Sequence, residues 1–256
     1  MEKFSSAVIV CDFSETQALF QAQWQQLFAQ YHPYCLPIGN QPLILWALEA
    51  LARLQCFDIT LVDPYASTHP RLHQQLKSLA ASIYGFQLHF TDTLPPEATK
   101  TGPVLTGVHL YYLHPDTQAL AQTSLHNLRD YYEENMRAPT LWQSRVTLPH
   151  FYQQGRLGRG AHCQIHAQSI CRHSLLGKYV SLQQEAQAIG SVIGDYSRLG
   201  PRTHLFGSLI LPHTRLGSDL HLVGKIVSGQ YLIDPLTGAW TEIDHVWCKA
   251  QKVYAL

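Results

Sequence analysis

Histidine is the residue type in this sequence with the widest chemical range. The chain has 15 histidines, and the repetitive C-terminal stretch contains His162, His166, His173, His204, His213 and His221. An imidazole can act as a general base near neutral pH, so each of these residues is a candidate for proton transfer. No carboxylate stands at a fixed spacing that would orient any of them, which favours outward or corner positions. Their spacing does not predict a metal site.

Carboxylates and thiols give weaker signals. Asp63 and Asp116 each follow a predicted strand, and both are interpreted as solvated turn residues. There is no GxSxG sequence that would indicate a serine nucleophile at a sharp strand-to-helix turn. The six cysteines are scattered without CxxC pairs, which favours reduced, mostly buried thiols.

The composition favours a folded protein that neither binds nucleic acid nor spans a membrane. The chain has 256 residues, a formal net charge of zero, 46% hydrophobic residues and 14% charged residues. It can bury a core, so disorder is not expected for most of its length. A neutral chain without a basic stripe does not predict binding to nucleic acid. No apolar run approaches the ~18 residues of a membrane span, and we expect a cytoplasmic protein.

Strands and helices alternate in the first part of the chain. We predict an α/β domain over residues 1–150, with a parallel sheet and helices on its faces. The predicted strands are Ala7–Cys11, Asp58–Val62, Phe86–Phe90 and Pro103–Leu113, and the predicted helices are Ser14–Gln30, Pro42–Leu54, Arg71–Tyr84 and about Thr117–Asn135. The stretch Met136–Gly155 has no clear period and is interpreted as a connector.

A six-residue period begins near Leu157. The branched aliphatic residues that recur six apart are Ile193, Leu199, Leu205 and Leu211, followed by Leu216 and Leu222. An aliphatic residue followed by Gly at this period is typical of hexapeptide repeats, which form a left-handed parallel β-helix. We therefore predict a β-helix over residues 151–256, with Tyr231–Trp240 as a cap. Its phase slips between Leu176 and Ile193, through the sequence SLQQEAQ.

The segment LPIGNQPLILWALEALARLQCFDITLV, residues 36–62, resembles the second motif region of sugar-nucleotide pyrophosphorylases. These nucleotidyltransferases join a sugar 1-phosphate to a nucleoside triphosphate. In that family a Rossmann-like domain comes first and a left-handed β-helix often follows. The closing segment LVGKIVSGQYLIDPLTGAW is similar to the tails of relatives linked to polysaccharide synthesis.

The sequence departs from that family where phosphate is handled. The family has a loop close to AGGxGTRL, in which glycine N–H groups approach the triphosphate. Here Asp12, Phe13 and Glu15 stand at the glycine positions and Gln17 stands at the arginine. The catalytic lysine of the family's PKPLLP motif is replaced by Pro33. No catalytic residue is therefore predicted.

What the resemblance leaves is a vestigial pocket. The residues that it assigns to ligand binding are Cys11, Thr16, Leu36, Pro37, Gly39 and Asp63. A nucleotide or sugar nucleotide is the ligand expected there, as a regulator, and no cofactor is predicted except magnesium if a nucleotide is bound.

The resulting hypothesis is a catalytically degenerate sugar-nucleotidyltransferase homologue. It would act as a scaffold, regulatory or assembly subunit in nucleotide-sugar or exopolysaccharide biosynthesis, as a homo-oligomer or with a protein partner bound through the β-helix. Two alternatives remain open: an active nucleotidyltransferase with an unusual phosphate loop, and a hexapeptide-repeat acyltransferase that uses coenzyme A.

Overall fold

The computed structural model describes residues 4–11, 36–63, 70–96, 102–106, 109–114, 117, 119–143, 151–154 and 157–243. The predicted helix Ser14–Gln30, the predicted site residue Thr16 and the carboxylate Asp116 lie outside these ranges. The chain forms two compact units. Of the described residues, the first unit holds those up to His126 except Pro37–Asn40, and the second holds Pro37–Asn40 and everything from Asn127 onward.

The elements before Asn127 alternate between strand and helix. In chain order they are β1 (Ser6–Val10), β2 (Pro37–Ile38), β3 (Gln41–Pro42), α1 (Leu43–Arg53), β4 (Asp58–Val62), α2 (Pro70–Tyr84), β5 (Gln87–Thr91), β6 (Val104–Thr106), β7 (His109–Leu113) and β8 (Leu120–Ser124). Strands β5, β4, β1 and β6 form one sheet in that order, and every pairing in it is parallel. The predicted α/β parallel sheet is therefore confirmed.

Helix α1 forms because its sequence, LILWALEALAR, combines strong helix formers with a wide apolar face. Leu48, Leu51 and Trp46 are completely buried, and the helix packs on the sheet through a core that includes Ile59 and Leu61. The helix ends at Arg53, and Gln55 then adopts a left-handed backbone with φ 60°. This is the conformation that commonly terminates helices.

Two sequence predictions are corrected after residue 103. The predicted strand Pro103–Leu113 is two strands, because β6 joins the parallel sheet whereas β7 pairs antiparallel with β8. The predicted helix from Thr117 begins with β8, where pairing with β7 outweighs the helix propensity of Leu and Ala. The helix itself, α3 (Leu128–Gln143), extends through Met136 into the stretch predicted as a connector.

Helix α3 begins after Asn127 for a local reason. The Asn127 side-chain oxygen accepts a hydrogen bond from the backbone N–H of Asp130 at 3.0 Å, which satisfies one of the unpaired donors of the first turn. Asp130 also places negative charge in that turn, where the helix dipole favours it. The boundary is therefore set by a capping residue.

From residue 157 the chain forms a parallel β-helix with three walls of short strands. The first wall is β10 (Leu157–Gly160), β13 (Leu175–Leu176), β16 (Val192–Ile193), β19 (Leu209–Ile210) and β22 (Ile226–Ser228). The second is β11 (Gln164–Ile165), β14 (Ser181–Leu182), β17 (Arg198–Leu199) and β20 (Arg215–Leu216). The third is β12 (Ile170–Arg172), β15 (Gln187–Ile189), β18 (His204–Phe206) and β21 (His221–Val223). The predicted β-helix is confirmed.

One coil of the β-helix is 17 residues long, because Gln164 pairs with Ser181 and Ser181 pairs with Arg198. A coil of three six-residue steps would need about 18 residues, so one step in each coil is shorter by one residue. The buried residues of the interior are Leu176, Leu182, Ala188, Ile193, Leu199, Leu205, Ile210, Leu216, Leu222 and Val227. The short step of five precedes Ile193, Ile210 and Val227. The predicted inward position Leu211 is therefore wrong, and Ile210 fills it.

The predicted phase slip through SLQQEAQ, between Leu176 and Ile193, is the five-residue step before Ile193, and the same step recurs before Ile210 and Val227. That sequence forms a coil like the others, in which Leu182 and Ala188 pair with Leu199 and Leu205 of the next coil. Ala188 and Ala186 are completely buried. The hexapeptide pattern is hidden because small alanines occupy inward positions where the other coils carry leucine.

Buried hydroxyl groups connect successive coils at one corner. Ser191 donates its N–H to Ser174 Oγ at 3.0 Å, and Ser208 donates its N–H to Ser191 Oγ at 3.1 Å. Each hydroxyl in turn donates to a backbone carbonyl within the column. All three serines are inaccessible to solvent. The polar groups of this corner are therefore satisfied by the neighbouring coil, which holds the coils in register.

Antiparallel strands cover both ends of the first wall. Strand β9 (Phe151–Gln154) pairs with β10 at one end, and β23 (Tyr231–Ile233) followed by β24 (Trp240–Glu242) extends the wall beyond β22. The predicted cap Tyr231–Trp240 therefore lies at the end of the β-helix. In the last coil, Lys225 occupies the position of Ser174, Ser191 and Ser208 in the earlier coils. Its ammonium group contacts Asp234 of the cap at 2.7 Å.

We expect Asp234→Asn to lower the free energy of unfolding by about 1 kcal/mol at pH 7, since this pair is partly exposed. The hydrogen bond from Lys225 lowers the pKa of Asp234 to about 2. The unfolded value is about 3.9, so the stabilisation is present above that value and is lost as the pH falls towards about 2. Urea unfolding of both proteins between pH 7 and pH 2 measures this difference. A difference that does not shrink with falling pH would contradict the assignment.

Helix α3 covers the outer side of the first wall. The outward residues of this wall are apolar and buried, namely Leu175, Val192, Leu209 and Ile226. Tyr131 is completely buried on the helix, and the Tyr132 hydroxyl donates a hydrogen bond to the carbonyl oxygen of Gly207. The second wall carries polar outward residues, whereas the outward residues of the third wall are half polar and half apolar, the apolar ones being Ile170, Ile189, Phe206 and Val223. In the described residues, no helix is long and apolar enough to cross a membrane.

Candidate ligand site at the carboxyl edge of the parallel sheet

The strand order of the sheet singles out one edge. Strand β1 lies between β4 and β6, and the chain moves from β1 towards β4 and β5 before it returns to β6 on the other side. In sheets wound in this way, ligands bind outside the carboxyl ends of the strands where the winding reverses. The carboxyl ends of β1 and β6 are therefore the expected binding edge of this unit.

Two predicted site residues lie side by side at this edge. Strands β1 and β4 pair with Val10 opposite Val62, so the next residues, Cys11 and Asp63, are also neighbours. The Cys11 N–H donates to Val62 O at 2.9 Å, and the Asp63 N–H donates to Thr91 O at 2.8 Å. Both side chains are buried, so the interpretation of Asp63 as a solvated turn residue is wrong. The structure thus brings together the two predicted residues that end neighbouring strands.

The Asp63 carboxylate is engaged by a histidine. Its Oδ2 lies 2.8 Å from His73 Nε2, and the carboxylate has no exposed surface. His73 is in the first turns of α2, and its ring stacks on Phe90 at a centroid distance of 4.3 Å. With an ionised carboxylate, which only accepts hydrogen bonds, the donor in this contact is the Nε2–H of His73. This pair fixes the start of α2 to the end of β4.

Gln41 is a polar group that sequence reasoning missed. It is 3% exposed, and neither its amide oxygen nor its amide nitrogen has a hydrogen-bond partner among the described residues. A buried amide without partners costs about 1–3 kcal/mol, so such groups call for an explanation such as a bound ligand or water. The sequence signal was an amide placed directly before an apolar helix.

Gln41 lies at the same edge of the sheet as Asp63, the edge formed by the carboxyl ends of the strands. Helix α1 leads through Leu54–Phe57 into the amino end of β4, so it runs antiparallel to the strand. Eleven helical residues span about 16 Å, which is close to the ~17 Å of a five-residue strand. The start of α1 is therefore at the carboxyl edge. Its N-cap residue is Pro42, which makes no side-chain capping bond, and no acidic residue lies in its first turn.

The predicted site residues Pro37 and Gly39 belong to the second unit, where they are held by helix α3. Tyr131 donates its hydroxyl to Pro37 O at 2.9 Å, and the Gly39 N–H donates to Asn135 Oδ1 at 2.9 Å. Asn40 donates its side-chain amide to Ile193 O at 2.9 Å. Gly39 and Asn40 have φ values of 56° and 63°, as in a type I′ turn. The Gly39 N–H is thus occupied within the protein.

Leu36, the remaining described site residue, is completely buried in the first unit, where its carbonyl oxygen accepts from the Leu43 N–H at 2.9 Å. Among the described residues, no group of three or more His, Cys, Asp or Glu side chains is placed to hold a metal ion. The described cysteines Cys11, Cys56, Cys163 and Cys171 are free thiols. Burial raises the pKa of Cys171 to about 12, so this thiol stays protonated at neutral pH.

Comparison with known proteins adds little to this geometry. No protein-family model matches the chain, and no curated protein sequence matches it. Among solved structures, the chain is similar to the acetyltransferase domain of PglB from Neisseria gonorrhoeae FA1090 in complex with acetyl coenzyme A. The identity is 14%, the TM-score is 0.16, and the match covers 68% of this chain and 96% of that chain. So low a TM-score supports no conclusion about fold or activity.

The histidines of the β-helix lie at outward or corner positions, as predicted. His162, His166, His173 and His213 are exposed, whereas His204 and His221 are half-buried on the third wall. The His204 and His221 rings meet edge to face at 5.8 Å. Among the contacts of the described residues, no ion pair with a carboxylate involves His162, His166, His204, His213 or His221.

Proposed function

We propose that this chain is a catalytically degenerate homologue of the sugar-nucleotide pyrophosphorylases. In this proposal it acts as a scaffold, regulatory or assembly subunit in nucleotide-sugar or exopolysaccharide biosynthesis, and it retains a nucleotide or sugar nucleotide as a regulatory ligand. The proposal includes the finer features of the resemblance: a nucleotidyltransferase-type first domain, a left-handed β-helix, self-association or a protein partner through that β-helix, and a cytoplasmic location.

The loss of catalysis is supported by residues that now serve the fold. The Asp63 carboxylate is enclosed and hydrogen-bonded to His73, so its oxygens are not available to a magnesium–phosphate complex. The Gly39 N–H, which could approach a phosphate, donates to Asn135. In the sequence, Asp12 and Glu15 add negative charge to the loop that would otherwise hold the triphosphate.

Retained ligand binding is supported chiefly by the unpartnered Gln41 amide at the carboxyl edge. It precedes the start of α1, where no side chain caps the helix and the helix dipole favours an anion. An amide that offers both a donor and an acceptor suits a nucleobase edge or a sugar hydroxyl. The start of α1 and the Gln41 amide together suit a ligand that has both a phosphate and a ring with hydrogen-bonding groups. Magnesium would enter only with such a ligand.

A thermal-shift screen with Gln41→Met tests this proposal. The wild-type protein should be stabilised by a nucleotide or sugar nucleotide by about 2.7 kcal/mol at a concentration 100 times the dissociation constant. Gln41→Met removes the unpaired amide, so the ligand-free variant should be as stable as the wild type or about 1 kcal/mol more stable. The same variant should lose most of the ligand-induced shift.

The control is Gln87→Met, which changes an exposed amide at the amino end of β5 and should leave the shift intact. Hydrogen exchange on the wild-type protein should show ligand protection at the ends of β1 and β6. Release of pyrophosphate from any sugar 1-phosphate and nucleoside triphosphate would contradict the degenerate assignment. A shift with coenzyme A instead would favour acyl transfer, and an unchanged shift in Gln41→Met would remove Gln41 from the site.

A further inference from the structure

The third wall of the β-helix has a partly apolar outer face. One column of its outward residues, on successive coils, is formed by Ile189, Phe206 and Val223. Val223 is 47% exposed, and Ile189 and Phe206 are half-buried. On the first wall, by contrast, the apolar outward residues are buried and α3 packs there. The third wall is therefore the face of the β-helix on which a partner would bury apolar surface.

Two histidines stand beside this apolar column on the same wall. His204 and His221 lie directly opposite each other on adjacent coils, and both are half-buried. They are the histidines of the β-helix that follow one another at the 17-residue length of a coil. Among the contacts of the described residues, no hydrogen bond or ion pair involves a ring nitrogen of either histidine. The two imidazoles thus offer nitrogen atoms that these contacts do not use.

Adjacent imidazoles can share one metal ion. Neutral imidazole suits zinc, copper and nickel, whereas calcium and magnesium prefer oxygen ligands. Zinc binds an imidazole nitrogen at about 2.1 Å, so two nitrogens on one tetrahedral ion lie about 3.4 Å apart. Neighbouring strands are about 4.8 Å apart. The rings of His204 and His221 meet edge to face at 68°, and the second side-chain torsion of histidine is broad, so rotation of the rings would let both coordinate the same ion.

One chain supplies only half of such a site. A structural zinc ion takes four protein ligands, and in the described part of the chain no third His, Cys, Asp or Glu side chain joins this pair. Asp219, two residues before His221, accepts two hydrogen bonds from Arg202 at 2.6 and 2.8 Å. A second copy of the chain would bring the same two histidines, so a two-fold axis between the copies would complete the set of four.

We propose that the third wall binds a second copy of this chain through a zinc-type divalent ion, which His204 and His221 of both copies coordinate. The two-fold axis runs along the strand direction, between these two histidines, so His204 of one copy faces His221 of the other. This inference rests on the self-association that the proposed function includes, and it specifies the face and the ligands. It does not depend on the nucleotide site.

The same axis matches the columns on either side of the histidines. It places each column opposite itself with the coil order reversed, so Phe206 of one copy faces Val223 of the other. At the corner before the histidines, Arg202 of one copy likewise faces Asp219 of the other. Apolar side chains thus meet apolar side chains, and charges meet opposite charges. This self-complementarity is what a two-fold interface requires, and it favours a second copy over a different protein.

Light scattering during size-exclusion chromatography of the full chain tests the proposal. We expect the mass measured in EDTA to double when Zn²⁺ is added, with one ion bound for every two chains, and to stay unchanged with Mg²⁺. His204→Gln/His221→Gln should need at least about tenfold more Zn²⁺ for the same change, because amide groups are poor zinc ligands. The matched control, His162→Gln/His213→Gln, removes two exposed histidines of the same β-helix and should respond as the wild type does.

Several results would overturn this inference. These are a mass that does not respond to Zn²⁺, binding of one ion per chain without a change in mass, the same response to Mg²⁺, and a control variant that loses as much of the response as His204→Gln/His221→Gln. The thermal shift with a nucleotide should be the same in His204→Gln/His221→Gln as in the wild type. Failure of the zinc-dependent interface can therefore be distinguished from failure of the nucleotide site.

Discussion

Replacing Asp63 with Ala should lower the free energy of unfolding by about 3 kcal/mol, because it breaks a buried hydrogen-bonded pair. The Asp63 side chain has no solvent exposure and the His73 side chain has 10%. Without the carboxylate, the His73 Nε2–H keeps no acceptor in that contact, and a cavity forms beneath α2. Urea unfolding measures the loss, and hydrogen exchange in β4 and β5 shows that the sheet is the part affected.

The matched control is Asp58→Ala at the other end of the same strand. Asp58 also contacts a histidine, His89, at 3.3 Å, but the two side chains are 55% and 60% exposed. An exposed pair of this kind contributes less than about 1 kcal/mol. Equal losses in Asp63→Ala and Asp58→Ala would show that burial does not set the strength of the Asp63–His73 contact.

Replacing Gly200 with Ala should destabilise the β-helix by about 3 kcal/mol, at the upper end of overpacking effects. A Cβ atom at residue 200 would lie 2.3 Å from the carbonyl oxygen and 2.4 Å from the carbonyl carbon of Gly217 in the next coil. These are backbone atoms, so relief requires that two coils move apart and weaken the hydrogen bonds between them. Hydrogen exchange in β17 and β20 measures the local loss.

Gly190→Ala is the control for this prediction. Gly190 has φ +59° and open space around its would-be Cβ, so alanine there meets backbone strain of about 1 kcal/mol without a steric clash. A loss at Gly190 as large as that at Gly200 would mean that backbone conformation, and not the close approach of the coils, dominates glycine use in this β-helix.

The sequence predicted those elements whose pattern arises from their own residues. The apolar face of α1 and the aliphatic steps from Ile193 to Leu205 both reflect local periodicity, and both are confirmed. The prediction failed at β8, where the extended conformation depends on pairing with β7, and at the coil with Ala188, where small inward residues conceal the repeat. In both cases the extended conformation depends on pairing with a neighbouring strand, which a pattern within the segment itself does not show.

The candidate site was predicted only in part for a similar reason. Asp63 was found because it ends a strand, but its partner His73 lies ten residues later in another element, and their contact depends on how α2 packs. Gln41 could have been suspected from an amide within an apolar segment. The stacked rings of His162, Tyr179, Tyr196 and His213 have a clear sequence signal, aromatic residues every 17 positions, but this period becomes visible only once the coil length is known.

Because every coil has the same length, the position of a residue within its coil determines where its side chain points. Every inward aliphatic, corner serine and stacked ring is set by its position within 17 residues. Adding or removing one residue within a wall would turn each later side chain to the wrong side, whereas the loss or gain of one whole coil would restore these positions. We therefore expect this fold to tolerate a change in the number of coils better than a change in the length of one coil.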